Sequence, residues 1–297
     1  MLMRMSVQIE PRPVSAPGHG GDGRDLRGQA ADPTRCALAV GGLDPGGGAG
    51  VLADVRAFAR AGAFGCAAVA LTTVQSTAGL RSVHAQPARL LMAQIREVLD
   101  HQNVRAIKIG ALGSLENVRA LARELRRRPN IAIVLDTPMR PTRGRAQLLG
   151  RRAFSELREE ILPLAALATV NIDEVFALLG RRVRSIDDAR DAARALAAIG
   201  PRAVLVKGGH LRGPLATDVL LVDGDIVEVH APRLRRSSVH GTGCTLASLV
   251  AGRIACTAEG PLGRNDVESA VRWAKRVHHA ALLRAVRVGR GMRVMMP

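Results

Sequence analysis

From Cys36 onward the chain alternates short apolar runs with helix-length amphipathic stretches, and this alternation leaves few folds open. Cys36–Val40, Cys66–Thr73, Ala106–Ile109, Ile131–Asp136, Leu167–Asn171 and Ala203–Lys207 have the length and apolar density of buried strands. Between them, Val51–Arg60, Pro87–Leu99, Leu115–Arg127, Ala153–Ile161 and Ile186–Ile199 carry the spacing of helices with one apolar face. Neighbouring parallel strands need a crossover, usually a helix, so repeated βα alternation predicts an α/β fold with a mostly parallel central sheet and helices on both faces. One place breaks the rule: Asp218–Val222 and Asp225–His230 flank Asp223-Gly224, a two-residue turn signal. An antiparallel hairpin is expected there, at one edge of the sheet.

The length of 297 residues, 47% of them hydrophobic, suffices for one large domain. Residues 1–34 are rich in Gly, Pro and charge without an apolar period and read as a disordered extension, leaving 35–297 as the folded domain. No run approaches the roughly 18 apolar residues of a membrane span, and the opening stretch lacks the apolar block of a signal peptide. Cys36, Cys66, Cys244 and Cys256 are scattered, with neither CxxC nor metal-ligand spacing. These features together point to the cytoplasm. The net charge of +17 invites a nucleic-acid reading, but the arginines are spread over nearly every expected helix and only 2% of residues are aromatic. Few stacking platforms exist for bases, so nucleic acid is not the expected partner.

Three stretches at strand-to-helix junctions carry chemistry, where open α/β sheets gather their ligand sites. Gly41-Gly42-Leu43-Asp44-Pro45-Gly46-Gly47-Gly48-Ala49-Gly50 lets a ligand approach the backbone, yet it fits neither the GxxxxGK[ST] loop nor the dinucleotide fingerprint. In Ser237–Ala247, the residues Gly241, Thr242, Gly243 and Cys244 would point successive N–H groups into one concavity suited to a transferring phosphoryl group. Cys244 at a helix start is expected to have its thiolate favoured by the dipole and to act as base on a substrate hydroxyl, or else to be a buried structural cysteine. In Thr169-Val170-Asn171-Ile172-Asp173-Glu174, Asn171 and Glu174 are one turn apart and can share a magnesium–water shell, unless the acids merely favour the helix dipole.

These residues resemble the hydroxymethylpyrimidine and phosphomethylpyrimidine kinases of thiamin biosynthesis, within the ribokinase-like superfamily. GGLDPGGGAGVLADVRAF, KIGALGS, VLDTPM, NIDE, VLVKGGH and HGTGCTLAS occur in the family's order between about Cys36 and Ile254, with a weaker echo in Val288-Gly289-Arg290-Gly291. The resemblance implies a ribokinase-like fold and ATP- and magnesium-dependent phosphorylation of 4-amino-5-hydroxymethyl-2-methylpyrimidine and its monophosphate. It implies that Asp54 and Gln75 bind the pyrimidine, with Ala111 and Met139 lining its pocket. Gly241, Thr242 and Gly243 would form the anion hole, and Cys244 would polarise the hydroxymethyl oxygen. Asp136 and Glu174 would organise magnesium, with Asn171 and Lys207 near the nucleotide phosphates. His210 and His240 read as loop-shaping, and a homodimer is the family's habit.

Four departures stand in the resembling blocks: Leu52 for the family's usual Gln, Ser76 for Asn, Ala111 for Met and Val170 for Pro. They predict intact phosphoryl-transfer parts and an altered base-recognition pocket. Met to Ala would open space against one ring face, which keeps a pyridoxal or pyridoxine kinase as an alternative. A non-catalytic pyrimidine or nucleotide sensor is a second alternative.

Overall fold

A computed structural model of the chain describes residues 34–136, 148–234, 239–260 and 262–297. The expected N-terminal extension, Thr34 apart, and Met139 lie outside them. Nine strands form one sheet: β1 (Cys36–Leu43), β2 (Phe64–Ser76), β3 (Gly79–Ala85), β4 (Val104–Ile109), β5 (Ala132–Asp136), β6 (Leu167–Asn171), β7 (Ala203–Lys207), β8 (Leu215–Val222) and β9 (Asp225–Pro232). Their order is β3-β2-β1-β4-β5-β6-β7-β8-β9. From β2 through β7 every neighbouring pair is parallel. Among the described residues no helix is long and apolar enough to cross a membrane.

Successive residues of a strand face opposite sides, so each central strand feeds two cores. Leu38, Val40, Ile107 and Ile109 pack towards α2 (Ala88–His101), α3 (Leu115–Arg126), α4 (Arg151–Glu160) and α6 (Ile186–Ala197). Ala37, Ala39 and Ala106 face α1 (Gly50–Ala61), α7 (Thr242–Thr257) and α8 (Arg264–Leu283). Small residues suit that second side because α7 is buried almost all round and lies close to α1. A Cβ on Gly252 would come within 2.9 Å of Ala61 Cβ and 3.0 Å of Phe58 Cα.

The β8–β9 hairpin turns at Asp223-Gly224 as expected, both residues having positive φ (48° and 85°), which matches the twist of the flanking strands. A second antiparallel pairing, additional to the expected hairpin, lies at the opposite edge, where β3 pairs with the overhanging end of β2. Leu80 is the one buried residue of β3, so this strand has almost no apolar pattern of its own and takes its conformation from its partner. A short parallel pair, β10 (Val239–His240) and β11 (Arg293–Val294), ties the end of the chain to the entrance of α7. Met292 N–H also donates to the Thr77 carbonyl at 2.8 Å, in the β2–β3 turn.

Candidate active site

The C-terminal ends of β1, β4, β5, β6 and β7 open on one cleft of about 1590 Å³, whose wall includes Gly41, Gly110, Asp136, Asn171 and Lys207. Two glycine-bearing loops meet at one end of it. In the first, the buried Asp44 carboxylate accepts Gly46 N–H at 2.9 Å and Ala49 N–H at 3.0 Å, folding the loop back on itself. His240 Nε2 lies 2.9 Å from the same carboxylate. Burial acts to raise Asp44, but His240 and the two backbone donors outweigh it and hold the acid below its ordinary value. In the second loop Gly241 has φ 77°, and a Cβ there would lie 2.0 Å from the Gly48 carbonyl oxygen. Only glycine fits both the conformation and the contact. The turn runs straight into α7, whose first N–H groups have no intrahelical acceptor, at the cleft-lining Thr242, Gly243 and Cys244.

Of the chain's 43 lysines and arginines only three are lysines, and each stands in the cleft wall against an aspartate. Lys108 Nζ is 3.0 Å from both oxygens of Asp54, which also accepts the Ser248 hydroxyl at 2.7 Å. Burial works against the Lys108 ammonium, but the Asp54 carboxylate keeps it protonated. Lys207 donates to Asp136 at 2.9 Å and lies 3.7 Å from Glu174. Thr169 donates to Asp136 at 3.2 Å. Lys275 donates to Asp218 at 2.7 Å, and the other Asp218 oxygen accepts Gly208 N–H at 3.0 Å. Burial would raise Asp136, yet Lys207 and Lys108 together bring it below the carboxylate range. For Glu174, burial prevails over the pull of Lys207, the Asp136 carboxylate adds to it, and the acid rises to about 7.

Asn171 and Glu174 are drawn together at the start of α5 (Ile172–Leu179) as a capping box. The Asn171 side chain accepts from the N–H groups of Asp173 and Glu174, both at 2.9 Å, and Glu174 accepts Asn171 N–H at 2.7 Å. Gln75 reaches the cleft from the overhang of β2, its Nε2 2.9 Å from His240 Nε2. For Cys244, expected to carry a favoured thiolate, the surroundings act in the other direction. Burial pushes its thiol up to about 12, with Asp136 and Asp54 reinforcing the shift against Lys108 and Lys207.

Residues 44–296 match the family model described as phosphomethylpyrimidine kinase. The chain belongs to that family. Over 263 residues it is 40% identical to the hydroxymethylpyrimidine/phosphomethylpyrimidine kinase of Rhizobium meliloti, covering 87% of this chain and 95% of that one. It is 38% identical over 244 residues to a probable thiamine biosynthetic bifunctional enzyme, chloroplastic, of Oryza sativa subsp. japonica. That match covers 80% of this chain and 44% of the rice protein, so the chain spans less than half of this relative. Among solved structures, phosphomethylpyrimidine kinase from Clostridium difficile 630 aligns with a TM-score of 0.71 at 28% identity, covering 84% of this chain and 100% of that one. Bacillus subtilis pyridoxal kinase, as an ADP complex, aligns with a TM-score of 0.78 at 26% identity, covering 88% and 97%. The fold is therefore ribokinase-like, and the family is one of phosphotransferases.

Against the phosphomethylpyrimidine kinase pattern, the four departures separate. Ala111 lines the cleft beside Gly110. Leu52 is 40% exposed on α1, Ser76 is exposed and caps the β2–β3 turn by accepting Ala78 N–H, and Val170 is buried within β6. Of the four positions, only Ala111 lines the cleft among the described residues. Asp54 stands in the cleft wall with no exposed surface, its carboxylate taken by Lys108 and Ser248. Sequence reasoning did not single out Lys108, Asp218, Ser248 or Lys275. The signal that finds the lysines is residue choice: a chain that uses arginine almost everywhere keeps the compact ammonium where a forked guanidinium has no room. His240, read as loop-shaping, stands between Asp44 and Gln75.

Proposed function

We propose that this chain transfers the γ-phosphoryl group of ATP, with magnesium, to the hydroxymethyl oxygen of 4-amino-5-hydroxymethyl-2-methylpyrimidine and to the phosphate of its monophosphate. The observation that carries this reading is the meeting in one cleft of the unpaired N–H groups opening α7 with the Lys207–Asp136–Glu174 cluster. In this proposal Gly241, Thr242 and Gly243 stabilise charge developing on the transferred group, and Lys207 and Asn171 face the nucleotide phosphates. Gln75 and Ala111, with Met139 outside the described residues, bound the pyrimidine, and Asp54 acts on it through Lys108. Cys244, protonated in this site, orients the hydroxymethyl oxygen by hydrogen bonding and is no preformed thiolate base.

Among the described residues no group of three or more His, Cys, Asp or Glu side chains is arranged to hold a metal ion. The pair Asp136 and Glu174 suits magnesium, an ion that keeps several waters and is held by one or two carboxylates together with phosphate oxygens. Bound there, magnesium would neutralise charge on the nucleotide phosphates.

The test is ADP release by the purified chain with magnesium-ATP and, separately, hydroxymethylpyrimidine, its monophosphate, pyridoxal or no acceptor. Turnover on both pyrimidines is expected. The second reading is pyridoxal phosphorylation, favoured by the room that Ala111 leaves and by the likeness to a pyridoxal kinase; faster turnover of pyridoxal would establish it. ADP release with none of the three acceptors would retire the catalytic reading.

A further inference from the structure

His278 lies three residues after Lys275 on α8, so the two side chains share one face of that helix. Lys275, through Asp218, holds the N–H of Gly208 in the loop after β7. His278 Nε2 lies 3.0 Å from the Thr242 carbonyl oxygen at the start of α7. A carbonyl can only accept, so Nε2 carries the proton. The Thr242 carbonyl shares a peptide plane with Gly243 N–H, and in a trans peptide the two point in opposite directions. Holding that oxygen on the α8 side therefore aims Gly243 N–H the other way.

We propose that His278 is a positioning residue for phosphoryl transfer, its donated hydrogen bond to Thr242 fixing the direction of Gly243 N–H in the anion hole. This rests on the phosphoryl-transfer reading above. Lys275, by way of Asp218 and Gly208, ties the loop after β7 to the same helix, so α8 is a common reference for both segments. The ring is suited to the task because it stays neutral. Burial, against the Thr242 carbonyl and with Lys275, Lys207 and His279 nearby, brings His278 down to about 4. A neutral imidazole has a single N–H, and Thr242 takes it.

The experiment uses the full chain with magnesium-ATP and hydroxymethylpyrimidine, comparing wild type with His278→Gln and His278→Asn. Glutamine can place an amide nitrogen where Nε2 stands, and asparagine stops one carbon short. His278→Asn is expected to lower kcat roughly ten- to a hundredfold, with both KM values within about threefold of wild type, because the aimed N–H matters most in the transition state. His278→Gln is expected to recover kcat to within about threefold. Equal losses in the two variants, or no loss in either, would overturn the proposal. Nitrogen-15 spectra of the His278 ring at pH 6 supply a readout independent of turnover: a neutral ring protonated on Nε2 is expected. A neutral ring with its proton on Nδ1 alone leaves Nε2 nothing to donate and overturns the bond to Thr242, even in a variant series that folds poorly. Should wild type turn over neither pyrimidine, the functional reading fails while these spectra still judge the hydrogen bond.

Discussion

Lys108 shows what burial asks of a cation. Its ammonium is 1% exposed, touches both Asp54 oxygens, and sits so close to the backbone that a Cβ on Gly110 would lie 3.1 Å from it. A guanidinium is larger and spreads its donors in a rigid fork, so keeping the charge does not keep the fit. Lys108→Arg is expected to lower unfolding stability in urea by about 2–4 kcal/mol, through overpacking and a mispaired Asp54; unchanged stability would show that the slot is roomier than described. Cys244 makes the complementary point. Its place after a glycine turn was readable from the chain, but its protonation state was not, because the carboxylates and lysines around it come from four other elements. With the thiol up at about 12, alkylation of Cys244 by iodoacetamide should be slow at pH 8 and keep rising about tenfold per pH unit to pH 10. Mass spectrometry of the Cys244 peptide reads this, and a rate that levels off below pH 9 would reveal a thiolate.

At the scale of elements, boundaries were legible where one segment carries its own pattern. β6 and β7 run over Leu167–Asn171 and Ala203–Lys207 as the apolar runs require, and the Asn171–Glu174 spacing that suggested a shared shell is also the spacing of a capping box. β3 was not legible, since its strand state is conferred by β2 across the turn. The glycine loops lie between these cases: their composition marks a tight path, but not which loop presses on which. Gly241→Ala tests that contact. With positive φ and the Gly48 carbonyl in the way, the variant should lose about 2–3 kcal/mol or more of stability by denaturant melt, and its ADP release should fall with it. An alanine tolerated without cost would mean that the two loops can part.

For the whole molecule, stability should follow pH in a way that the cleft dictates. Unfolded His278 takes up a proton below its ordinary value of 6.5, while the folded ring waits until about 4, so its contribution is present above pH 6.5 and is lost as pH falls towards 4. Wild type should therefore lose on the order of 1 kcal/mol relative to His278→Gln between pH 6.5 and 5, measured by urea unfolding, after allowance for partial solvent screening. Glu174 acts in the opposite sense, its contribution being lost as pH rises from 4.5 to about 7, but it is common to both proteins and cancels in the comparison. A difference that does not change with pH would mean that His278 titrates normally. The order of apolar runs and amphipathic stretches determined the parallel sheet, its hairpin edge and the junctions where a ligand site had to lie, because periodicity and turn chemistry act over a few residues at a time. Which charges face one another was decided only by the tertiary structure. Lys108 with Asp54, Lys275 with Asp218 and His278 with Thr242 are each more than thirty residues apart, and burial, which sets their protonation and their room, exists only once the helices have closed on the sheet.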